Sequence, residues 1–115
     1  MPKTDVTIYH NPRCTKSRET LALLEQKGIQ PRVIEYLKTP PSTADLKSIL
    51  KALGLKAVDI VRKKEAAEAG IDPTWPEDKL VVAMAENPII IERPIVVVGA
   101  KAVLGRPPEN VLRLI

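Results

Sequence analysis

Val6-Thr7-Ile8-Tyr9-His10-Asn11-Pro12-Arg13-Cys14-Thr15-Lys16-Ser17-Arg18 is the stretch on which the fold turns. Its first four residues are β-prone. They stop at His10-Asn11-Pro12, because a proline steers the residue before it away from helix. Beyond the loop, Leu21 and Leu24, with Ala22 and Leu23 beside them, give a helical face over Ser17 to Lys27. Gly28 then supplies a residue able to take the left-handed conformation that ends a helix. The chain's single cysteine therefore falls in the loop between a strand and the head of a helix.

Working outward, Arg32-Val33-Ile34-Glu35-Tyr36 reads as a second strand. A strand, helix, strand order of this length favours a right-handed parallel crossover, so the first half is a βαβ unit. Lys38-Thr39-Pro40-Pro41-Ser42 is a stiff linker, and Ser42 or Thr43 caps a helix carrying Leu46, Ile49, Leu50 and Leu53 and closed by Gly54. Shorter helical pieces are expected over Val58 to Lys64 and Glu77 to Glu86, separated by the turn-rich segment from Gly70 to Pro76. After Asn87-Pro88, the runs Ile95-Val96-Val97-Val98 and Ala102-Val103-Leu104 flank a short glycine-containing loop, the pattern of a hairpin. Pro107-Pro108-Glu109 opens a last short helix. The expected fold is α/β and thioredoxin-like: βαβ then ββα around a mixed four-stranded sheet, with a proline just before the third strand and a helical insertion between the halves. Residues 1–115 are expected to form one domain.

Composition narrows the function. The chain is 44% apolar and 28% charged, as ordinary globular proteins are. It has no Phe, one Trp and two Tyr, which is poor material for stacking bases, and its net charge of +4 is spread along the chain. Nucleic acid is thus an unsuitable partner, and a small anion suits better. No apolar run approaches the roughly 20 residues of a spanning helix, so no membrane role is expected. Met1-Pro2-Lys3-Thr4-Asp5 leads directly into the first strand without a secretion signal, and one cysteine cannot form an internal disulfide, so the expected location is the reducing cytoplasm. One Cys and one His cannot supply the ligands a zinc ion needs, and no metal is expected.

The chemistry centres on Cys14. At the head of a helix, free backbone amides and the positive end of the helix dipole point at the sulfur. Such placement, or cationic neighbours, brings a thiol from its reference near 8.5 to roughly 3.5–7.5. Arg13, Lys16 and Arg18 add positive charge, and His10 is close along the chain. The features that stabilise a thiolate also attract an oxyanion, so one loop could hold nucleophile and substrate together. The competing reading of a lone cysteine is a small buried hydrophobe. Ser17 stands where a dithiol motif carries its second cysteine; it also suits an ordinary helix N-cap. His10 by itself reads equally as a structural histidine at a strand end.

The string from His10 to Arg18 resembles the active-site loop of the glutaredoxin-coupled arsenate reductases, HNPxCxxSR. Tyr36-Leu37-Lys38-Thr39-Pro40-Pro41, Val61-Arg62-Lys63-Lys64, Ile91-Glu92-Arg93-Pro94-Ile95-Val96-Val97 and Gly105-Arg106-Pro107 look like that family's later motifs in the same order. The resemblance implies Cys14 as nucleophile, His10 and Ser17 as its activating neighbours, and Arg62, Arg93 and Arg106 as the guanidinium cluster that binds the oxyanion. It also implies a cis Pro94. Pattern alone does not select these arginines from the seven present: Arg62 opens a charged run, and Arg93 and Arg106 each precede a proline. The implied reaction is reduction of arsenate to arsenite through a thio-arsenate on Cys14, with glutathione as co-substrate, glutaredoxin as partner, no bound cofactor, and a monomeric enzyme. Two other readings share the fold: a glutathione-dependent thiol reductase acting on another substrate, and an Spx-like regulator that binds RNA polymerase. Regulators of that type typically carry a CxxC pair, which Ser17 interrupts here.

Overall fold

The computed structural model describes residues 6–115. The reading of Met1-Pro2-Lys3-Thr4-Asp5 as a leaderless start lies outside the described residues. A four-stranded sheet in the order β2-β1-β3-β4 is built from β1 (Val6–His10), β2 (Arg32–Glu35), β3 (Ile95–Val98) and β4 (Lys101–Leu104). β1 runs parallel to β2 and antiparallel to β3, and β3 runs antiparallel to β4, so the sheet is mixed. Helix α1 (Thr15–Gln26) makes the crossover between β1 and β2. The insertion between β2 and β3 holds α2 (Thr43–Leu53), α3 (Lys63–Glu68) and α4 (Glu77–Glu86) with short 3-10 turns. This is the thioredoxin-like α/β arrangement.

The period-2 alternation of strands divides the core between two faces. Val6 and Ile8 of β1 and Val96 of β3 pack with Leu24 of α1 and Val111 of the C-terminal turn. On the other face, Tyr9 and Ile95 meet the insertion through Leu46, Ile49, Leu80 and Met84. His10 continues the Val6-Ile8 row at the end of β1, on the face that α1 covers. Among the described residues, no helix is long and apolar enough to cross a membrane.

Several boundaries differ from the sequence reading, each for a local reason. α1 begins at Thr15, not Ser17. Its buried face is Ser17, Thr20 and Leu24, so two of its three buried positions are polar and escape a search for apolar spacing. β2 ends at Glu35, because the Glu35 carbonyl accepts from the amides of Lys38 and Thr39, both at 2.9 Å, and closes a turn. That turn takes Tyr36 out of the strand and buries it to 2% exposure. The piece expected over Val58 to Lys64 is divided into a 3-10 turn, Ala57–Ile60, and α3. The break falls at Val61, which forms an isolated antiparallel bridge with Ile91. The last helix is a 3-10 helix over Pro108–Arg113. The α2 cap follows expectation: Ser42 and Asp45 form a reciprocal capping box, and Gly54 closes the helix in the left-handed region at φ 70°.

Candidate active site

Cys14 is the N-cap residue of α1, with extended backbone angles, and its carbonyl accepts the first helical bond from the Arg18 amide at 3.0 Å. The loop before it is tightened by the Cys14 amide donating to the Asn11 carbonyl at 3.0 Å and the Arg13 amide donating to Asn11 Oδ1 at 3.0 Å. No side-chain oxygen caps the helix, so the amides of Ser17 and Lys16 are left to the sulfur. Cys14 is only 9% exposed, yet it belongs to neither apolar cluster. Its surroundings are amides and a guanidinium. Burial pushes the thiol up, but the Ser17 amide, the Arg93 guanidinium and the Lys16 amide together hold it below its ordinary value.

Ser17 is not the helix N-cap. It stands in the first turn, fully buried, with its hydroxyl 2.6 Å from His10 Nδ1 and accepting from the Asn11 amide at 3.0 Å. The register explains the meeting: His10 closes the inward row of β1, and Ser17 opens the buried face of α1. Burial lowers the His10 pKa, Glu35 counteracts this and Arg18 adds to it. A neutral imidazole can therefore accept the Ser17 hydroxyl proton at Nδ1. The three groups form a satisfied buried triangle behind the cysteine loop.

The arginines come from three separate segments. The Arg62 amide donates to the Ile90 carbonyl at 2.7 Å and the Glu92 amide to the Ile60 carbonyl at 2.8 Å, which pins residues 60–62 against residues 90–92. Arg62 then lies beside Glu65 (Nε to Oε1, 3.2 Å) and within 3.9 Å of Glu92 Oε1. Arg106 reaches the same Glu92 oxygen at 3.4 Å, and its Nε donates to the Arg93 carbonyl at 2.8 Å. Glu92 thus bridges Arg62 and Arg106, while Arg106 braces the backbone of Arg93. Among the described residues, Nε and Nη1 of both Arg62 and Arg93 are buried and make no hydrogen bond of good geometry, although those of Arg62 are charge-paired with Glu65 and Glu92. Buried donors without partners are costly, and an anion is what such donors accommodate.

Two further features align the halves. The Arg93-Pro94 peptide is cis, as the resemblance implied, and so is Arg106-Pro107. Gly105, whose amide donates to the Pro94 carbonyl at 2.9 Å, lies so close to α1 that an added Cβ would stand 2.6 Å from Thr20 Oγ1 and 2.8 Å from Pro94 Cγ. Only glycine lets the end of β4 approach the helix this closely, and Arg106 follows it directly. All six residues singled out from sequence thus lie in two adjoining groups, Cys14, His10 and Ser17 in one, and Arg62, Arg93 and Arg106 in the other, with Arg93 touching both. The sequence reading did not single out Asn11, Tyr36, Glu65 or Glu92. An Asn before a proline and the Arg62-x-x-Glu65 spacing were the available signals.

A thioredoxin-like sheet with a cysteine thiol of lowered pKa at the head of its first helix, beside the Arg93 guanidinium, defines a class of thiol-dependent enzymes handling small oxyanions. Within that class, this chain belongs to the ArsC family, which matches residues 9–114. It is 47% identical over 114 residues to the uncharacterized protein YfgD of Escherichia coli K12, covering 96% of each chain. It is 46% identical over 111 residues to the arsenate reductase of Neisseria meningitidis serogroup A, covering 93% of this chain and 95% of that one. The structure of an arsenate reductase from Vibrio cholerae superposes with a TM-score of 0.88 at 49% identity, covering 97% of this chain and 98% of that one.

Proposed function

We propose that this chain is an arsenate reductase that converts arsenate to arsenite through a covalent intermediate on Cys14. One observation carries the reading: a thiol held below its ordinary value lies beside Arg93, whose buried Nε and Nη1 make no hydrogen bond among the described residues. In the reaction, the Cys14 thiolate attacks arsenic, an As–O bond breaks, and the departing hydroxide takes a proton to leave as water. Glutathione adds its sulfur to the arsenic by the same exchange. A glutaredoxin thiolate then attacks the glutathione sulfur; a mixed disulfide forms, and its electron pair stays on arsenic, which falls from the +5 to the +3 state. Hydrolysis of the remaining S–As bond releases arsenite and restores the thiol. With a single cysteine, the chain relies on external thiols for both sulfur partners. Arg62, Arg93 and Arg106 bind the oxyanion, and His10 and Ser17 hold the loop that presents the sulfur. Phosphate has the same shape and charge, so selection lies in the reaction itself, thiolate attack being easy at arsenic and not at phosphorus.

The same reading makes residues 1–115 one domain, acting as a monomer in the cytoplasm with no bound cofactor. The experiment is a turnover assay with arsenate, glutathione, glutaredoxin and NADPH-driven recycling, scoring arsenite. Arsenite formation is expected with the native chain and absent with Cys14→Ser. No arsenite from the native chain, together with reduction of a disulfide substrate, would replace this reading with that of a glutathione-dependent thiol reductase.

A further inference from the structure

Among the described residues, five buried side-chain nitrogen or oxygen atoms lack a hydrogen-bond partner; four belong to Arg62 and Arg93, and the fifth is the Tyr36 hydroxyl. Tyr36 is 2% exposed, and its ring packs in the larger apolar cluster, so the residue is fixed in place. The polar side chains that act most strongly on the hydroxyl are those of Arg93 and Asn11, with the Arg62 charge also felt there. Arginine has donors only. Asn11 Oδ1 accepts from the Arg13 amide at 3.0 Å, and Asn11 acts on the phenol as another donor, lowering its pKa. The Tyr36 oxygen can accept from these groups, but among the described residues its own proton meets no acceptor in hydrogen-bonding geometry.

A buried O–H donor ringed by other donors is a costly arrangement unless something brings an acceptor. We propose that the Tyr36 hydroxyl is a further oxyanion-binding group, donating its proton to the tetrahedral anion that Arg62 and Arg93 hold. This rests on the oxyanion site proposed above and adds to it a neutral, directional donor. Burial pushes the Tyr36 pKa up, with the nearby Arg93, Asn11 and Arg62 working against it, so the phenol keeps its proton at neutral pH. The guanidinium groups supply charge. The phenol, fixed by its ring, supplies orientation.

Inorganic phosphate, which binds without reacting, is the probe. In the native chain it should protect Cys14 from iodoacetamide, and the half-protecting concentration should rise on the order of tenfold in Tyr36→Phe, which keeps the buried ring. The pH midpoint of alkylation without phosphate should stay where it is. If Tyr36 only positions Arg93 against the thiolate, that midpoint moves and protection does not, which overturns the proposal. Equal protection of both proteins also overturns it while leaving the oxyanion site standing. Absence of protection in the native chain removes the site and the proposal together. A second measurement does not depend on the variant folding: with only two tyrosines in the chain, Cζ-labelled tyrosine gives two resonances. Phosphate should move that of Tyr36 and leave that of Tyr9; an unmoved Tyr36 signal at saturating phosphate refutes the contact.

Discussion

The cysteine loop and the arginine cluster differ in how their polar groups are satisfied. Around Cys14, the loop amides and carbonyls and the His10, Ser17 and Asn11 groups bond to one another within a span of eight residues. Around Arg62 and Arg93, the backbone is bonded across long separations, yet among the described residues Nε and Nη1 of each guanidinium make no hydrogen bond, with Arg62 charge-paired to Glu65 and Glu92. The first region is complete without a ligand; on the function proposed above, the second is completed by the oxyanion. A self-satisfied loop fixes the Cys14 sulfur in place, whereas arginines positioned by Glu65, Glu92 and the Arg93 carbonyl would need little rearrangement to bind the anion of the proposed reaction.

Arg93 belongs to both regions, since its guanidinium lowers the Cys14 pKa and its Nε and Nη1 are free. It is therefore the residue at which the contrast breaks down, and the largest effect is expected there. Arg93→Ala should weaken phosphate protection of Cys14 roughly ten- to a hundredfold, the worth of charged hydrogen bonds in a buried site, and raise the pH midpoint of alkylation in the same protein. Arg62 is not among the main groups that lower the Cys14 pKa, so Arg62→Ala serves as the comparison, weakening protection with little change in the midpoint. An Arg93→Ala protein with an unmoved midpoint would show that the helix amides alone hold the thiolate.

A smaller effect separates the loop from the anion site. Ser17→Ala leaves the Asn11 amide and His10 Nδ1 without their shared partner in a fully buried position. Denaturant unfolding should show a loss of about 1–3 kcal/mol, the cost of stranding buried polar groups. Phosphate affinity, measured on the folded protein, should stay within about twofold, because no arginine depends on that hydroxyl. A Ser17→Ala chain of native stability but poor anion affinity would reverse the assignment of Ser17 to the self-satisfied loop.

The same division decides what could be read from the sequence. The strand, loop and helix around Cys14 are set by contiguous residues: a β-prone run, Pro12, and a helical pattern ending at Gly28. The parallel crossover and the hairpin follow from similar local patterns, and so the sheet was legible. The arginine cluster was not, because it arises from the bridge between Val61 and Ile91 and from the close approach of Gly105 to Thr20. Neither contact leaves a periodic trace; only the family motifs pointed to Arg62, Arg93 and Arg106. Tyr36 was read as the end of a strand because its type suits one, yet the turn closed on the Glu35 carbonyl turns it inward toward the site. Ser17 and Thr20 escaped as buried positions because their burial is secured by hydrogen bonds and not by apolar character.

The smallest expected effect concerns His10 and acid. Burial lowers its pKa in the folded chain, so the unfolded chain, near the ordinary value of about 6.5, binds the proton first as pH falls. Proton binding to the unfolded state favours unfolding; the stability tied to neutral His10 is thus fully present above about 6.5 and is lost as pH falls toward the lower folded value. His10→Gln can still accept from Ser17 but does not titrate. Urea unfolding at closely spaced pH values should show native stability declining below about pH 6.5 more steeply than that of His10→Gln, with parallel curves above it. If the native curve were instead flatter than that of the variant on the acid side, the folded imidazole would be the better base, and the Ser17 hydroxyl would be accepting a proton from Nδ1 and not donating one.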